Sequence, residues 1–186
     1  MTRYWPGAGK EYTESTCALA LSRAGELGIQ HIVAASNTGF TARFLVGKTP
    51  NLVIVTHHVG FREPGGDEMP PEEREYLTAR GVHLITASHF FGGIGRAVTA
   101  QFGGLYPGGI VAQSLRTFGQ GTKVCLEIAT MAADAGAIPV DQEIIAIGGT
   151  GRGADTALVL LPAHGKNFFA TQVLEVISKP RNWEVR

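Results

Sequence analysis

Short apolar runs alternate along this chain with stretches of helical spacing, and this alternation limits the fold more than any other feature. The expected strands are HIVAAS (31–36), NLVIVTHH (51–58), HLITAS (83–88), Glu143–Ile147, Thr156–Leu161 and TQVLEVISKP (171–180). The expected helices are 13–28, 41–47, 70–81 and 122–136, with short helices between 89 and 121. The pattern predicts an α/β three-layer sandwich with a mostly parallel sheet.

A glycine-rich segment near the end of the chain joins two of these runs. EIIAIGGTGRGADTALVLLPA (143–163) reads as a strand, a glycine loop and a returning strand. A dinucleotide fingerprint needs G-x-G-x-x-G followed by a helix, and here both the spacing and the following strand differ. The segment therefore predicts an antiparallel hairpin rather than a Rossmann nucleotide site.

Composition excludes several classes of protein. The length of 186 residues favours a single domain over 1–186. Sixteen basic and sixteen acidic residues give no net charge, which argues against a nucleic-acid partner. No metal-ligand spacing, signal peptide or membrane-length apolar run is visible in the sequence. Cys17 and Cys125 lie in apolar helical stretches, so we expect buried reduced thiols and a cytoplasmic location.

Polar or glycine-rich residues follow four of the expected strands. These are Ser36-Asn37-Thr38-Gly39, Thr56-His57-His58, Ser88-His89 and Gly148-Gly149-Thr150. In open α/β sheets, ligands bind beyond the carboxyl ends of the parallel strands. We therefore expect a binding site at this edge of the sheet.

The segment SNTGFTA (36–42) has the composition of an anion-binding loop. Its hydroxyls and glycine precede an expected helix, whose N-terminal N–H groups and dipole would attract a phosphate. The alternative is that Ser36 or Thr38 merely caps that helix. The residues alone leave both interpretations open.

The glycine loop offers a second candidate surface at the same edge. Gly149 and Gly151, on either side of Thr150, would let the backbone approach a ligand closely, and Arg152 would contact its charge. Asp155 would brace either the loop or the arginine. The alternative is a simple turn with a solvated Arg152.

Several other polar residues have two interpretations. His57 and His58 are adjacent in the expected strand, so at most one of them would face a ligand. His89 could be a ligand contact or a packed histidine, and His164 would lie away from the site. We expect Lys123, Glu127 and Asp134 to form a solvated stripe or a local ion pair, with a ligand-facing acid or a subunit contact as the alternative.

The loop SNTGFTA resembles the phosphate loop of the C-terminal domain of pyruvate kinase. Most of residues 10–182 are similar to a stand-alone family of pyruvate kinase C-terminal-domain-like proteins. The segments that carry this resemblance are HIVAAS, VTHHVGF, MPPE, FGQGTKVCLEIATMAADAGAIP, GGTGRGADTA and PAHGKNFF.

The resemblance implies the fold of the kinase's regulatory domain and the binding of flavin mononucleotide (FMN). It implies that Ser36, Thr38, Gly39 and Thr41 hold the phosphate. His58 matches the histidine of the motif VTxHxGF, which also contains Gly60. The kinase loop often carries a basic residue where this chain has Phe40, which disfavours a sugar bisphosphate.

Two classes of function follow from these observations. One is an FMN-binding protein, with a flavin-dependent oxidoreductase as its reaction, in which the aromatic residues of 89–121 and the segment GFREPGGDEMP provide the slot for the flavin ring. The other is a non-enzymatic regulatory or binding module for a phosphorylated metabolite. The resemblance leaves out the catalytic barrel, so we expect no pyruvate kinase activity. Strand 171–180 and the glycine-rich helices offer apolar surface, from which we expect a homo-oligomer.

Overall fold

The computed structural model describes residues 2–183, so the ends of the single domain expected over 1–186 lie outside the described residues. Its strands are β1 Arg3–Trp5, β2 His31–Ala35, β3 Asn51–Thr56, β4 His83–Thr86, β5 Ile144–Gly148, β6 Thr156–Leu161 and β7 Gln172–Pro180. Its α-helices are α1 Thr13–Leu27, α2 Pro71–Thr78, α3 Gly93–Phe102, α4 Pro107–Arg116 and α5 Gln120–Asp134. Short 3-10 turns occupy Lys10–Tyr12, Ala42–Phe44 and Gly165–Ala170.

The seven strands form one sheet in the order β1-β7-β6-β5-β2-β3-β4. The pairs from β5 through β2 and β3 to β4 are all parallel. Strands β5 and β6 pair antiparallel, with Ile144 opposite Leu160 and Gly148 opposite Thr156. The predicted mostly parallel sheet and its hairpin are therefore confirmed.

Alternation along the strands sends side chains into two separate cores. Ile32 and Ala34 of β2 belong to one core, which contains residues of α1 and α2. Val33, between them, belongs to the other core, beneath α5. Since successive strand residues point to opposite faces, helices cover both faces of the sheet. This arrangement is the predicted three-layer sandwich.

The start of α5 packs against the end of β5 through two glycines. A Cβ atom on Gly148 would lie 2.8 Å from the carbonyl oxygen of Gly121 and 3.0 Å from the Val124 Cβ. A Cβ on Gly121 would in turn collide with the Thr156 Oγ1. The absence of side chains at both positions lets the helix N-terminus reach the carboxyl edge of the sheet.

One expectation about local structure was wrong, and one strand was not predicted. The helix expected over 41–47 is only the 3-10 turn Ala42–Phe44, because Gly47 (φ +74°) turns the chain back towards β3. β1 was not predicted, because its three residues are too few for a periodic pattern. It pairs along the outer side of β7, so β7 is not the edge of the sheet.

The buried thiols expected from the sequence are confirmed. Cys17 and Cys125 are both buried and unpaired. Burial raises the pKa of Cys17 to about 12 and the pKa of Cys125 well above its ordinary value. Within residues 2–183, no helix has both the length and the apolar character needed to cross a bilayer.

Helices α3 and α4 leave large apolar side chains in solvent. α3 contains no buried residue, and its Ile94 and Phe102 are 81% and 80% exposed. Leu105 in the connection, Ile110 on α4 and Phe118 after it are also exposed. The exposed apolar surface therefore lies on these helices more than on β7.

Replacing Gly148 with alanine tests the close contact between α5 and β5. The added methyl would overpack the backbone of Gly121, so we expect the free energy of unfolding to fall by about 1–3 kcal/mol. Urea denaturation measures it. Gly25→Ala is the matched control, because a Cβ there meets nothing within 4 Å, and helix propensity predicts a gain of up to about 1 kcal/mol. Equal stability of Gly148→Ala and wild type would contradict the contact.

Candidate functional site

A cavity of about 750 Å³ lies at the carboxyl edge of the sheet, where β2, β3 and β5 end. The first half of α5 and single residues of α3 and α4 close it on one side. The sequence-predicted residues that line it are Ser36, Asn37, Thr38, Thr41, Thr56, His89, Gly149, Gly151 and Arg152. The structure thus brings the two loops selected from the sequence, 36–41 and 149–153, into one cavity.

The loop 36–41 contains a capping side chain and several backbone N–H groups that have no acceptor among the described residues. The Ser36 Oγ accepts hydrogen bonds from the N–H groups of Thr41, at 3.1 Å, and Ala42, at 3.4 Å. Ser36 therefore caps the turn, as the alternative interpretation held. The backbone N–H groups of residues 37–40 donate to no acceptor within residues 2–183. They remain available to an anion, although the helix dipole expected behind them is absent.

Gly39 supports this loop from behind rather than lining the cavity. Its φ of +84° lies in the left-handed region, and a Cβ there would collide with the side chain of Glu73. Glu73 is buried and forms an ion pair with Arg43, whose Nε lies 2.8 Å from the Glu73 Oε1. The Arg43–Glu73 pair thus fixes the outer side of the loop.

The glycine loop is held on both sides by buried polar groups. Asp155, fully buried, accepts hydrogen bonds from the Thr150 N–H at 3.1 Å and the Thr156 hydroxyl at 2.8 Å. The Thr13 Oγ1, at the start of α1, accepts a hydrogen bond from the Ala154 N–H at 2.9 Å. Burial raises the pKa of Asp155, while these donors to its carboxylate oppose the rise. Asp155 therefore braces the loop and not the arginine.

Two basic side chains, those of Lys10 and Arg152, lie beside these loops. Arg152 is exposed and lines the cavity. The Lys10 Nζ lies 4.0 Å from the ring centre of Phe40. Phe40 stands where the kinase loop often has a basic residue, so Lys10 provides a positive charge beside that position. No carboxylate of residues 2–183 forms an ion pair with either cation. Both are available to a bound anion.

His57 lines the cavity, and His58 does not. β3 ends at Thr56, so His57 is the first residue beyond the strand. Asn37 holds His57 by accepting the His57 N–H at 2.9 Å, and its amide nitrogen lies 3.0 Å from the His57 Nε2. The His57 Nδ1 contacts the Glu68 carboxylate, which also pairs with Arg62 at 2.7 Å. This arrangement assigns the proton to Nδ1, with Nε2 accepting from the Asn37 amide.

Three rings form one wall of the cavity. The ring centres of His57 and Phe61 are 3.8 Å apart, and His89 lies edge-on to them at 5.1 Å and 5.3 Å. Burial lowers the pKa of His89 from 6.5 to about 4, and the nearby Glu127 carboxylate opposes that shift. His89 is therefore uncharged at neutral pH, and the wall presents aromatic surface to the cavity.

The ion pair expected between Lys123 and Glu127 is confirmed, but the solvated stripe is not. Their relative exposures are only 7% and 4%, they pair with each other, and both line the cavity. The Glu127 Oε1 also accepts a hydrogen bond from the Phe91 N–H at 3.1 Å. Burial lowers the pKa of Lys123, and Glu127 opposes that change. The stripe was wrong because the segment around Phe91 covers this face of α5.

Other predicted residues lie outside the cavity wall. His58, Gly60, Ser88, Thr150 and Asp155 do not line it, nor does Gly39. Asp134 is exposed at the far end of α5, where its Oδ1 accepts a hydrogen bond from the Gly165 N–H and contacts His164. His164 thus lies away from the cavity, as expected.

The charges of the cavity wall are unbalanced. Six basic side chains line it, and only two acidic ones do. The basic residues are Lys10, Arg62, Arg96, Arg116, Lys123 and Arg152, and the acids are Glu68 and Glu127. The whole chain carries equal numbers of both signs. The cavity therefore attracts anions although the protein as a whole is neutral.

The family of the chain follows from its sequence. Residues 14–160 match the family model described as the pyruvate kinase alpha/beta domain. The chain belongs to that family. The match includes both loops of the cavity and all of α5, and of the lining residues only Lys10 lies before it.

Solved structures of pyruvate kinases resemble this alpha/beta domain distantly. A complex of the Cryptosporidium parvum enzyme with ADP is 18% identical, with a TM-score of 0.39, over 79% of this chain and 22% of that one. Another structure of the enzyme is 15% identical, with a TM-score of 0.38, over 79% and 21% of the two chains. This chain spans about a fifth of the length of the kinases it matches.

The depressed pKa of His89 predicts a pH dependence of stability. Between pH 6.5 and about 4, His89 binds a proton in the unfolded chain but not in the folded protein. The free energy of unfolding therefore falls as pH decreases. His89→Gln should make that fall smaller. Urea denaturation across this pH range measures the slope.

His83→Gln is the control for this measurement, because that side chain is exposed at the start of β4. It should keep the wild-type slope. An unchanged slope in His89→Gln would contradict the burial of His89 as the cause.

Proposed function

We propose that this protein binds FMN in the cavity at the carboxyl edge of the sheet. The observation that carries the proposal is the surplus of basic side chains in one cavity of a neutral chain, beside a wall of aromatic rings. A ligand that suits both features has an anionic end and a flat ring system. The cavity volume lies within the range of about 300–1,000 Å³ typical of ligand sites.

The loops 36–41 and 149–153 suit the phosphate of this ligand. The free N–H groups of 37–40 and the hydroxyls of Thr38 and Thr41 offer donors, and Arg152 and Lys10 offer positive charge. A Cβ on Gly149 would collide with the carbonyl oxygen of Gly153, so the glycine keeps the loop closed. Successive backbone N–H groups with a nearby cation are a recurring phosphate-binding arrangement.

The aromatic wall suits the flavin ring. Phe61 and His57 line the cavity with their rings in contact, and Val124 and Ile128 of α5 add apolar surface. The contact of His57 with Asn37 and Glu68 keeps its ring in one orientation. The residues present therefore fit FMN at both its phosphate and its ring.

A bound flavin would supply electron or hydride transfer, and a flavin-dependent oxidoreductase is the reaction class we propose. The chain's own residues orient the ligand and limit access of water. The segment around Phe91, fixed to Glu127 by the hydrogen bond from its N–H, covers the α5 side of the cavity. We infer a cytoplasmic location from the two reduced thiols.

A non-enzymatic module for a phosphorylated metabolite is the second candidate. It is favoured by the hydrogen bonding of His57, whose two ring nitrogens are both engaged, and by the pairing of Lys123 with Glu127. Groups engaged in this way fix the shape of a site rather than exchange protons with a ligand. Reduction of the bound flavin by a nicotinamide or other donor distinguishes the two candidates.

Comparison of FMN with riboflavin, which lacks the phosphate, tests the proposed binding. Wild-type protein should bind FMN more tightly, because only FMN engages the loops. Arg152→Ala should weaken FMN by at least about tenfold, near 1.4 kcal/mol, and leave riboflavin unchanged. Quenching of flavin fluorescence measures both affinities.

Thr38→Val should also weaken FMN binding, by about 1–3 kcal/mol, because it removes a hydrogen bond to a charged group. Arg80→Ala, on an exposed side chain outside the cavity, is the matched control and should bind FMN normally. Thermal melting without ligand should place all three variants within a few degrees of wild type. Equal affinities of wild type for FMN and riboflavin would contradict the proposed phosphate site.

We also propose that two or more copies of the chain associate through α3 and α4. The exposed Ile94, Phe102 and Leu105 form an apolar surface, and a neutral chain has no net charge to oppose self-association. Light scattering at micromolar concentration should give a multiple of the chain mass, and Phe102→Asp with Leu105→Asp should reduce it to the monomer. A monomeric wild type would contradict the proposal.

A further inference from the structure

Arg62 pairs with Glu68, and the other five basic residues of the cavity form two groups on opposite sides of the sheet edge. Lys10 and Arg152 lie on the α1 side, where a Cβ on Gly153 would pack 2.8 Å from the Lys10 Cα. Arg96 of α3, Arg116 of α4 and Lys123 of α5 lie on the α5 side. All three line the same cavity, and α4 packs against both α3 and α5, which brings these cations to one side of it.

The second group is not neutralised within the site. Glu127 pairs with Lys123, but no carboxylate of the described part of the chain forms an ion pair with Arg96 or Arg116. The Arg116 Nε donates to the Gln120 Oε1 at 2.6 Å, which fixes the guanidinium and leaves its other nitrogens free. The Arg96 guanidinium lies 5.6 Å from the ring centre of Phe61, beside the aromatic wall.

One monophosphate cannot account for both groups, because the loops and cations on the α1 side already suffice for it. Two cavity-lining arginines without acidic partners in the described residues leave positive charge on the α5 side, which a bound anion would neutralise. Guanidinium groups bind carboxylates and phosphates through paired hydrogen bonds, so an acidic group on a small molecule matches them.

We propose that Arg96 and Arg116 form a second anion subsite, which binds the carboxylate or phosphate of a second small ligand beside the aromatic wall. The inference rests on the proposed function in one respect: the first ligand is taken to be FMN. If the protein is an oxidoreductase, the second ligand is its acidic substrate, held with its reacting part towards the flavin. If it is a binding module, it responds to FMN and the second anion bound together.

The experiment titrates the FMN-saturated protein with oxalate and, separately, with inorganic phosphate by calorimetry. Wild type should bind at least one of these anions, and the preferred one identifies the acidic group. The double variant Arg96→Gln with Arg116→Gln should lose at least about tenfold in that affinity, while its FMN affinity changes by less than about threefold. Arg80→Gln is the matched control and should bind both ligands as wild type does.

A parallel titration without FMN separates this proposal from the preceding one. If FMN fails to bind, the anion should still bind the free protein, and the double variant should still lose it while Arg152→Ala keeps it. If the double variant unfolds at a lower temperature than wild type, the measurement is repeated with each single variant. The subsite is overturned if wild type binds neither anion, if saturation with FMN abolishes anion binding, or if the double variant binds the anion as wild type does.

Discussion

One buried carboxylate, Asp155, connects the parts of the molecule that form the cavity. It accepts hydrogen bonds from the Thr150 backbone and the Thr156 hydroxyl, and it lies beside the start of α5, where a Cβ on Gly121 would come within 2.9 Å of its Oδ1. A buried carboxylate is costly without such donors. The folded loop 149–153, the end of β5 and the N-terminus of α5 are therefore stabilised together.

The close approach of α5 to the sheet also determines the charge of the cavity. Because Gly121 and Gly148 lack side chains, the first turns of α5 bring Lys123 to the carboxyl edge and bury it. Its charge is balanced by Glu127, which in turn fixes the segment around Phe91. The same segment leads into α3 and α4, which carry Arg96 and Arg116 to the cavity. The positive wall thus depends on backbone packing as much as on the arginines.

The fold and both loops of the site could be predicted from the sequence. Apolar runs reveal the strands, and the residues after each run lie together because parallel strands end at one edge. The Lys123–Glu127 ion pair was predicted from its i, i+4 spacing, but its burial could not be, since such pairs usually lie in solvent. The choice of His57 over His58 depended on where β3 ends, and strand boundaries are the least certain part of such predictions. Arg96 and Arg116 join the site only through the packing of α4 on α5, which leaves no periodic signal.

A crystal structure of the protein with FMN tests the central claim most directly, because it locates the phosphate group. The account predicts that the phosphate lies within hydrogen-bond distance of the backbone N–H groups of 37–40 and of Arg152, with the flavin ring against Phe61. A phosphate that contacts neither loop, or a flavin bound outside this cavity, would contradict it.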